Sequence, residues 1–195
     1  DGVSIGNKSY TTDILDAVGV RSGHSRATPM LEDAIKLPTE PAIPLDNPTK
    51  YRSPTGSACH MNNTHRPEIS FSTLHLSRNL KAPTTLDYAN LQRFARYLKG
   101  SVENQIKYTG RDPVLVGYSD SDWAGDQRDR ISVSGYVFFL HGGPVSWKSK
   151  KQTVVALSSA EAEFVALTAA VQEALFLRSL LSELGFPQVS PTPIY

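Results

Sequence analysis

The sequence predicts an α/β (α+β) fold, with a mixed sheet and a packed helix in its second half and a mostly helical segment before them. Residues 111–195 contain several short β-rich runs, followed by one long helical pattern that opens with a capping motif. Residues 86–99 carry a single apolar stripe at helical spacing. Around residues 111–113 the pattern changes from helical spacing to β-rich runs. We therefore predict two domains, residues 1–110 and 111–195, each of a size close to the usual roughly 100 residues.

The first predicted elements are a short strand and a short helix. Residues 3–5 alternate as a strand does. Thr11 or Thr12 is the expected cap of the helix that follows, and Gly19 is its expected end.

Proline is concentrated in residues 25–56. The six prolines are Pro29, Pro38, Pro41, Pro44, Pro48 and Pro54. Each one removes a backbone donor and disfavours helix at the residue before it, so we predict an extended connector over this range.

Helix signals return between residues 66 and 111. The clearest helix runs from about Leu86 to Lys99 and ends at Gly100. Its apolar stripe consists of Leu91, Phe94, Ala95 and Leu98. This spacing places all four on one helix face, with Arg93 and Arg96 on the opposite side.

The second half reads as strands and one long helix. The predicted strands are residues 114–118, residues 134–140, one that begins at Val145, and its continuation or a further strand at residues 153–157. Ser158 to Glu161 forms a capping box for a helix that runs to about Leu184. Residues 193–195 are the entry to another strand, and this order implies a mixed sheet with a helix packed on it.

Composition narrows the class of protein. The chain is 39% hydrophobic and 20% charged, which suits a folded domain and not a disordered chain. Cys59 is the only cysteine, so no intramolecular disulfide can form. The N-terminus has no signal-peptide pattern, and the longest uncharged stretch of interest, residues 131–147, is a poor membrane span.

Two carboxylates suggest a chemistry. Asp120 follows the predicted strand 114–118, and Glu163 lies early in the long helix. The residues that follow Glu163 at core-facing spacing are Leu167, Ala170, Ala174 and Leu177. The Glu163 side chain is therefore expected to point toward the sheet. An acid at a strand end, beside an acid on a docked helix, makes an oxygen-rich corner suited to Mg²⁺.

Other interpretations of these acids stay open. Asp122 and Asp126 favour turns and read as solvated turn residues. Glu161 is explained as the partner in the capping box and not as a metal ligand. A calcium loop that starts at Asp120 fails, because its twelfth position is isoleucine where a bidentate Glu is required. From the residues alone, Asp120 and Glu163 are either a metal pair or ordinary acids.

Basic residues form a second set of candidates. The run 148–151 is either a solvated turn or, beside an anionic substrate, a phosphate contact. Residues 66–111 carry eight Lys and Arg against three acids, which makes a basic patch. Cys59, His60 and His65 offer neither zinc-ligand spacing nor a base arranged for a thiol nucleophile.

Four stretches carry a family resemblance. They are Gly-Tyr-Ser-Asp-Ser-Asp-Trp-Ala-Gly-Asp (117–126), Ser-Gly-Tyr-Val-Phe-Phe-Leu (134–140), Trp-Lys-Ser-Lys-Lys-Gln (147–152) and Ala-Leu-Ser-Ser-Ala-Glu-Ala-Glu-Phe-Val-Ala-Leu (156–167). Together they closely resemble the ribonuclease H domain of copia-type retrotransposon Pol polyproteins. The upstream part resembles the segment that follows the polymerase palm of the same polyprotein, in residues 8–15, 28–30, 51–71 and 96–100.

This resemblance implies a ribonuclease H-like mixed sheet with a packed helix, preceded by a thumb- or connection-like segment over residues 1–110. It implies hydrolysis of the RNA strand of RNA–DNA hybrids with two Mg²⁺ ions. By position, Asp120 matches the first catalytic aspartate and Glu163 the helix glutamate, both of them metal ligands, while Asp122 matches no required ligand. The expected partners are hybrid nucleic acid and the rest of Pol, without a membrane. The expected location is intracellular, in cytoplasmic virus-like particles or the nucleus.

Departures from the family pattern qualify these expectations. The family's third catalytic aspartate follows a strand that begins Pro-Ile-Tyr, and here that strand stops at Tyr195. The fourth acid lies further on, and the polymerase motif would precede Asp1. We therefore expect an incomplete fold, at most one weakly bound Mg²⁺ and little activity in this chain alone. Residues 57–61 also depart from the pattern, which predicts altered packing of the upstream part.

The leading hypothesis is a piece of a reverse transcriptase/ribonuclease H whose parent activity is hybrid hydrolysis. The alternative is a non-catalytic nucleic-acid-binding remnant, either domesticated or the product of a pseudogene. Its expected contacts are Arg93, Arg96, Lys99, Lys107, Lys148, Lys150 and Lys151.

Overall fold

The computed structural model describes residues 2–31, 42–110, 112–125 and 129–195. It divides the chain into two compact units. One unit is Ile5–Gln105, and the other is Ile106–Tyr195 together with Val3 and Ser4. The division between the units falls five residues before the boundary that the sequence predicts at 110–111. Each unit is described separately below.

The unit Ile5–Gln105 begins with helix α1, Lys8–Val18. Its cap is Asn7, whose side-chain oxygen accepts a hydrogen bond from the Tyr10 backbone N–H at 2.9 Å. The predicted caps Thr11 and Thr12 are wrong, because both lie inside the helix, where their hydroxyls donate to carbonyl oxygens four residues earlier. Gly19 ends the helix in the left-handed conformation, with φ of 73°, as predicted.

The predicted connector 25–56 is wrong at its C-terminal end, because helix α2 covers Thr49–Thr64. Pro54 lies inside this helix, where it lacks the N–H that would bond the carbonyl four residues back. Tertiary contacts compensate for that loss. Tyr51 is almost fully buried and donates its hydroxyl to the Leu76 carbonyl at 2.6 Å. Pro38 and Pro41 lie outside the described residues.

Helix α2 also contains the residues 57–61 that depart from the family pattern. Ala58 and Met61 are fully buried there and belong to the core of the unit. The departure therefore coincides with ordinary core packing. Burial raises the pKa of the Cys59 thiol between them, which keeps the thiol protonated at neutral pH.

Two further helices complete this unit. A 3₁₀ turn at Pro67–Ile69 leads into α3, Ser70–Ser77, and α4 covers Thr85–Gly100. A capping box between Thr84 and Asp87 opens α4. The predicted stripe of α4 is confirmed, since all four of its apolar residues are fully buried in the core shared with α1 and α2.

The second unit is built on a three-stranded antiparallel sheet in the order β3-β4-β5, with β3 at Val116–Asp122, β4 at Val133–Leu140 and β5 at Gly143–Lys151. Strand β1, Val3–Ile5, pairs with β2, Ile106–Tyr108, in a separate small sheet. The predicted β3 range of 114–118 is too early, because the acidic residues after it belong to the strand. The predicted strand at residues 153–157 is wrong, since these residues are irregular.

The end of the chain returns to β3 in parallel. Ile194 forms a bridge with Gly117, and the Ser119 backbone N–H donates to the Tyr195 carbonyl at 2.8 Å. The strand entry predicted at residues 193–195 is therefore confirmed. The antiparallel strands and this parallel return together make the mixed sheet that the sequence predicts.

Helix α5, Ser159–Glu183, packs on β3 and β4. The residues on its buried face are Ala162, Ala166, Ala170, Ala174 and Leu177. Leu167 was expected on this face but is 38% exposed. By length and composition α5 could also cross a membrane, a property that it shares with core helices of soluble proteins.

The buried stripe of α4 provides a test of the upstream core. Replacing the fully buried Phe94 with alanine is expected to lower the free energy of unfolding by about 3–5 kcal/mol, because the ring leaves a cavity in the core. Leu86→Ala, on the exposed start of the same helix, is the matched control and should cost less than about 1 kcal/mol. Urea unfolding of both variants measures the difference, and equal losses would contradict the predicted core.

Candidate functional site

Strand β3 presents two different faces. Leu115, just before the strand, packs with Ala170 and Ala174 of α5, so the odd-numbered residues that follow face α5. Asp120 and Asp122 are even-numbered and lie on the opposite face, where both are exposed. The two acids are therefore neighbours on one face of the strand.

Asp122 is the last residue of β3, not part of a solvated turn as predicted. Burial, and to a smaller extent the charge of Asp120, raise the pKa of its carboxyl above the usual value. The carboxylate lies against Gly125, where an added Cβ would fall 2.0 Å from Oδ2 of Asp122. Only glycine fits at this position without displacing the carboxylate. Asp126 lies outside the described residues.

Glu163 is the fifth residue of α5 and is exposed. It precedes the buried Ala170 and Ala174 by seven and eleven residues, a spacing that places it toward the sheet side of the helix. Glu161, two residues earlier, accepts a hydrogen bond from the Leu157 N–H at 2.7 Å. The assignment of Glu161 to the start of the helix thus agrees with its contacts.

Two hydrogen bonds from Gln152 fix the position of α5 along the strands of the sheet. The Gln152 side chain donates to the Ala162 carbonyl at 3.0 Å and to the Ser134 hydroxyl at 2.9 Å. Ser134 is the register partner of Ser121 in β3. Glu163 follows Ala162 in sequence, and Asp120 precedes Ser121, so the two acids lie at the same end of the unit. They belong to opposite sides of the sheet, so their side chains can approach only around the edge of β3.

The return of residues 193–195 pairs with β3 as far as Ser119. The hydroxyls of Ser119 and Ser121 are buried on the α5 side without a hydrogen-bond partner among the described residues. Nothing in the sequence pattern pointed to this pair of serines. They flank Asp120 in sequence and face the other side of the strand.

The donor set bears on the metal that the resemblance implies. Within residues 2–31, 42–110, 112–125 and 129–195, no three His, Cys, Asp or Glu side chains come together as a metal-binding group. Asp120, Asp122 and Glu163 therefore do not form a complete site, and they fall short of the roughly four carboxylates that two Mg²⁺ ions share. A single Mg²⁺ that keeps several of its water ligands would need only one or two of these carboxylates.

Two basic residues of α4 that were predicted to contact nucleic acid bond instead to other residues of their own unit. Arg93 donates to the Thr28 hydroxyl at 2.9 Å, and Lys99 donates to the Gly23 carbonyl at 2.7 Å. The Arg26 N–H reaches the Arg96 carbonyl at 3.2 Å in the same region. Arg93 and Lys99 thus hold the segment 23–28 against α4.

The basic residues of β5 differ from those of α4. Lys151 forms an ion pair with Asp129. Lys148 and Lys150 are exposed, and neither has an ion-pair partner among the described residues. They are the predicted phosphate contacts that the structure leaves accessible.

Asp122 gives a pH prediction. Because its folded-state pKa is raised, the folded chain holds the proton more tightly than the unfolded chain, and stability falls as pH rises through the folded-state pKa. Asp122→Asn should therefore stabilise the chain at pH 7 relative to wild type and show no such gain at pH 3. Urea unfolding at both pH values measures this.

The neighbouring acid supplies the control for that prediction. In Asp120→Asn, the carboxyl carbon resonance of Asp122 should titrate at a lower pH than in wild type, because one negative charge has been removed. The pKa should still exceed the usual 3.8, since burial is the larger cause. An unchanged titration curve in this variant would show that the two carboxyls do not interact.

The bonds of α4 give a second prediction. Arg93→Gln should speed hydrogen exchange of the Arg26 amide by roughly fivefold, because one net hydrogen bond of about 1 kcal/mol holding segment 23–28 is lost. Arg96→Gln is the matched control, since its guanidinium makes no hydrogen bond to the described residues. Equal exchange rates in the two variants would mean that Arg93 does not hold this segment.

The chain is similar to transposon proteins along its whole length. It is 36% identical over 195 residues to the retrovirus-related Pol polyprotein from transposon RE2 of Arabidopsis thaliana, and it spans 13% of that protein. It is 33% identical over 189 residues to the corresponding polyprotein from transposon TNT 1-94 of Nicotiana tabacum, of which it spans 14%. No family model matches the chain, and no solved structure does.

A much shorter protein shares the same similarity. The chain is 43% identical over 128 residues to secreted RxLR effector protein 161 of Plasmopara viticola, of which it covers 90%. The match involves 65% of the present chain. The full-length matches, in contrast, are all to polyproteins of transposons. The chain is thus similar, over its whole length, to a segment of retrovirus-related Pol polyproteins from transposons, and it spans only 13–14% of the length of these relatives.

Proposed function

We propose that the unit Ile106–Tyr195 is the ribonuclease H part of such a polyprotein, and that Ile5–Gln105 is the segment after the polymerase palm. The parent activity is Mg²⁺-dependent hydrolysis of the RNA strand of RNA–DNA hybrids. The observation that supports the proposal is the link through Gln152, which bonds Ala162 beside Glu163 and bonds Ser134, the register partner of Ser121 beside Asp120.

The topology supports this assignment. Three antiparallel strands lead into α5, and the chain then returns in parallel beside the first of them. The return pairs with the half of β3 that precedes Asp120. Acids at a strand end beside a docked helix are a common source of oxygen ligands for Mg²⁺.

The charges on this face of β3 favour a bound cation. Burial, and to a smaller extent the charge of Asp120, raise the pKa of Asp122, so the two carboxylates repel each other. A divalent ion would relieve this repulsion. When bound, Mg²⁺ activates a water molecule and stabilises the leaving oxygen of a phosphodiester. The protein residues hold the ion and orient the scissile phosphate against it.

The same donor set limits the activity of the described residues. Two metal ions need about four carboxylates, and the described residues supply Asp120, Glu163 and the neighbouring Asp122. We therefore propose weak binding of one Mg²⁺ and little cleavage by this chain. The remaining parts of Pol would act as its partners, in an intracellular particle or in the nucleus.

A second candidate function is nucleic-acid binding without cleavage. It is favoured by the accessible Lys148 and Lys150, since lysines without a carboxylate partner are suited to phosphate oxygens. The contacts of Arg93 and Lys99 within their own unit weigh against these two residues as binding groups.

A cleavage and binding assay separates the two candidates. The full chain is incubated with a labelled RNA–DNA hybrid and Mg²⁺, and Mg²⁺ binding is followed by shifts of the carboxyl resonances of residues 120 and 163. We expect weak, saturable Mg²⁺ shifts at both residues and cleavage only slightly above background. Asp120→Asn and Glu163→Gln should each abolish the shifts and the residual cleavage.

Glu161→Gln is the matched control, because Glu161 lies on the same turn but bonds the Leu157 N–H. It should leave Mg²⁺ binding and cleavage unchanged. Robust cleavage that Asp120→Asn abolishes would overturn the proposed low activity while supporting the nuclease assignment. Hybrid binding that is unaffected by Mg²⁺ and by both acid variants would favour the non-catalytic candidate.

A further inference from the structure

A polar groove of about 380 Å³ lies between β5 and α5 in the unit Ile106–Tyr195. Its volume falls within the range of small-ligand sites, roughly 300–1,000 Å³. The groove exists because α5 packs mainly on β3 and β4, while β5 is the edge strand of the sheet. The side of β5 that faces α5 is therefore uncovered.

The sheet wall of the groove is basic. Lys148 is the register partner of Tyr136, and Lys150 is the register partner of Ser134. Tyr136 and Ser134 both face α5, because the Tyr136 hydroxyl reaches Glu173 of that helix and Ser134 bonds Gln152. Both lysines therefore project into the groove side of β5, and two positive charges two residues apart line one wall.

The inner end of the groove holds an acceptor without a donor. Gln152 is 7% exposed, and its side-chain nitrogen makes two bonds, to Ser134 and to the Ala162 carbonyl. The bond to a carbonyl fixes which end of the amide is nitrogen, because a carbonyl can only accept. Oε1 of Gln152 is buried and lacks a hydrogen-bond partner among the described residues. A buried acceptor in this state costs free energy until a donor reaches it.

The other end of the groove carries a negative charge, which repels anions. Glu173 accepts hydrogen bonds from the Ser146 hydroxyl at 2.6 Å and the Tyr136 hydroxyl at 3.2 Å. Burial and the charge of Glu173 raise the pKa of Tyr136 to about 12, so its hydroxyl stays a donor to that carboxylate. A negative ligand is therefore repelled from the Glu173 end and attracted to the end bordered by Lys150 and Gln152.

We propose that this groove binds one ribonucleotide unit, with its phosphate at Lys148 and Lys150 and a ribose hydroxyl donating to Oε1 of Gln152. The ligand must bring a negative group and a hydrogen-bond donor close together. A ribose 2′-hydroxyl beside a phosphate has both, and a deoxyribose lacks that hydroxyl. The unit can belong to an RNA strand or be a free ribonucleotide.

This inference rests on the proposed nucleic-acid function, but it requires neither Mg²⁺ nor cleavage. The proposed RNA-binding groove also lies in a different part of the unit from the proposed metal site. The lysines are on the edge strand β5 and face α5, whereas Asp120 lies on β3 and faces away from it. The groove can therefore bind RNA whether or not the acids at the other edge hold a metal.

The ligand side is tested with the unmodified full chain. The ¹⁵N-labelled protein is titrated, without Mg²⁺, with pentacytidylate RNA, its DNA counterpart, the 2′-O-methyl RNA and cytidine 5′-monophosphate. We expect the side-chain amide signal of Gln152 to shift with RNA. Affinity for RNA should exceed that for DNA and for 2′-O-methyl RNA by roughly fivefold, the value of one net hydrogen bond.

The lysine side is tested with a charge-matched pair of variants. In Lys148→Gln/Lys150→Gln, RNA affinity should fall and the slope of log K against log salt should decrease by about 1.4, or about 0.7 for each lost phosphate contact. Lys8→Gln/Lys50→Gln removes the same charge from exposed sites in the other unit and should leave the slope and the Gln152 shift unchanged. Thermal melts confirm that both variants are folded.

Each result of these titrations either supports or overturns the inference. Shifts at Gln152 with RNA alone support recognition of a strand, and shifts with cytidine monophosphate as well support recognition of the free unit. Equal affinity for RNA and DNA, shifts confined to residues outside the groove, or insensitivity to the β5 lysines would overturn the inference. None of these results touches the proposed nuclease assignment, which depends on the Mg²⁺ response of residues 120 and 163.

Discussion

The close packing of alanines on the sheet determines the arrangement of the unit Ile106–Tyr195. Four of the five buried residues of α5 are alanines, and they lie against a surface that includes Leu115 and Phe138. Side chains this small let the helix approach β3 and β4 closely. Gly117 also permits this close packing, because a Cβ there would fall 2.5 Å from the Phe138 ring. The helix is thereby centred over two strands and leaves the third uncovered.

The position of this helix produces both candidate sites. It sets the position of Glu163 relative to β3, the strand of the proposed metal ligand Asp120, and it leaves the groove beside β5. The bond from Gln152 to the Ala162 carbonyl sets the height of the helix along the strands. A shift of one turn would move Glu163 by about 5 Å and remove the partner of Gln152. The proposed chemistry at β3 and the proposed recognition at β5 therefore depend on one packing contact.

Much of this fold was predictable from local patterns in the sequence. The stripe of α4 and the cap of α5 were correct because each depends on residues within one or two turns of the helix. The connector was wrong at α2 because Pro54 normally disfavours a helix, and only burial of Tyr51 and Met61 in the core outweighs that cost. The end of β3 was missed because Asp120 and Asp122 are poor strand residues by composition. Pairing with Gly135 and Val133 holds them in the strand nonetheless.

The candidate site was predictable to a smaller extent. Asp120 and Glu163 stand out as single acids at a strand end and on a capped helix, and the family resemblance reinforces them. Gln152 and Glu173 carry no such signal, because their significance comes from partners on other elements. Helical periodicity does place Glu173 near the buried face of α5, since it precedes the buried Ala174. Gln152 has no local clue at all, and only the paired strands show that its amide bridges the sheet and the helix.

The charges of the sheet are separated in a way that suits a nucleic-acid substrate. The acids lie on β3 and the unpaired lysines on β5, so two inter-strand spacings of about 4.8 Å separate them along the sheet. They also face opposite sides of it, which keeps the lysines from neutralising the acids. A phosphate held at β5 therefore avoids the repulsion of Asp120 and Asp122, while a cation at β3 is not displaced by Lys148 or Lys150. The proposed binding of a phosphate backbone and the proposed binding of a metal could thus be lost independently of each other.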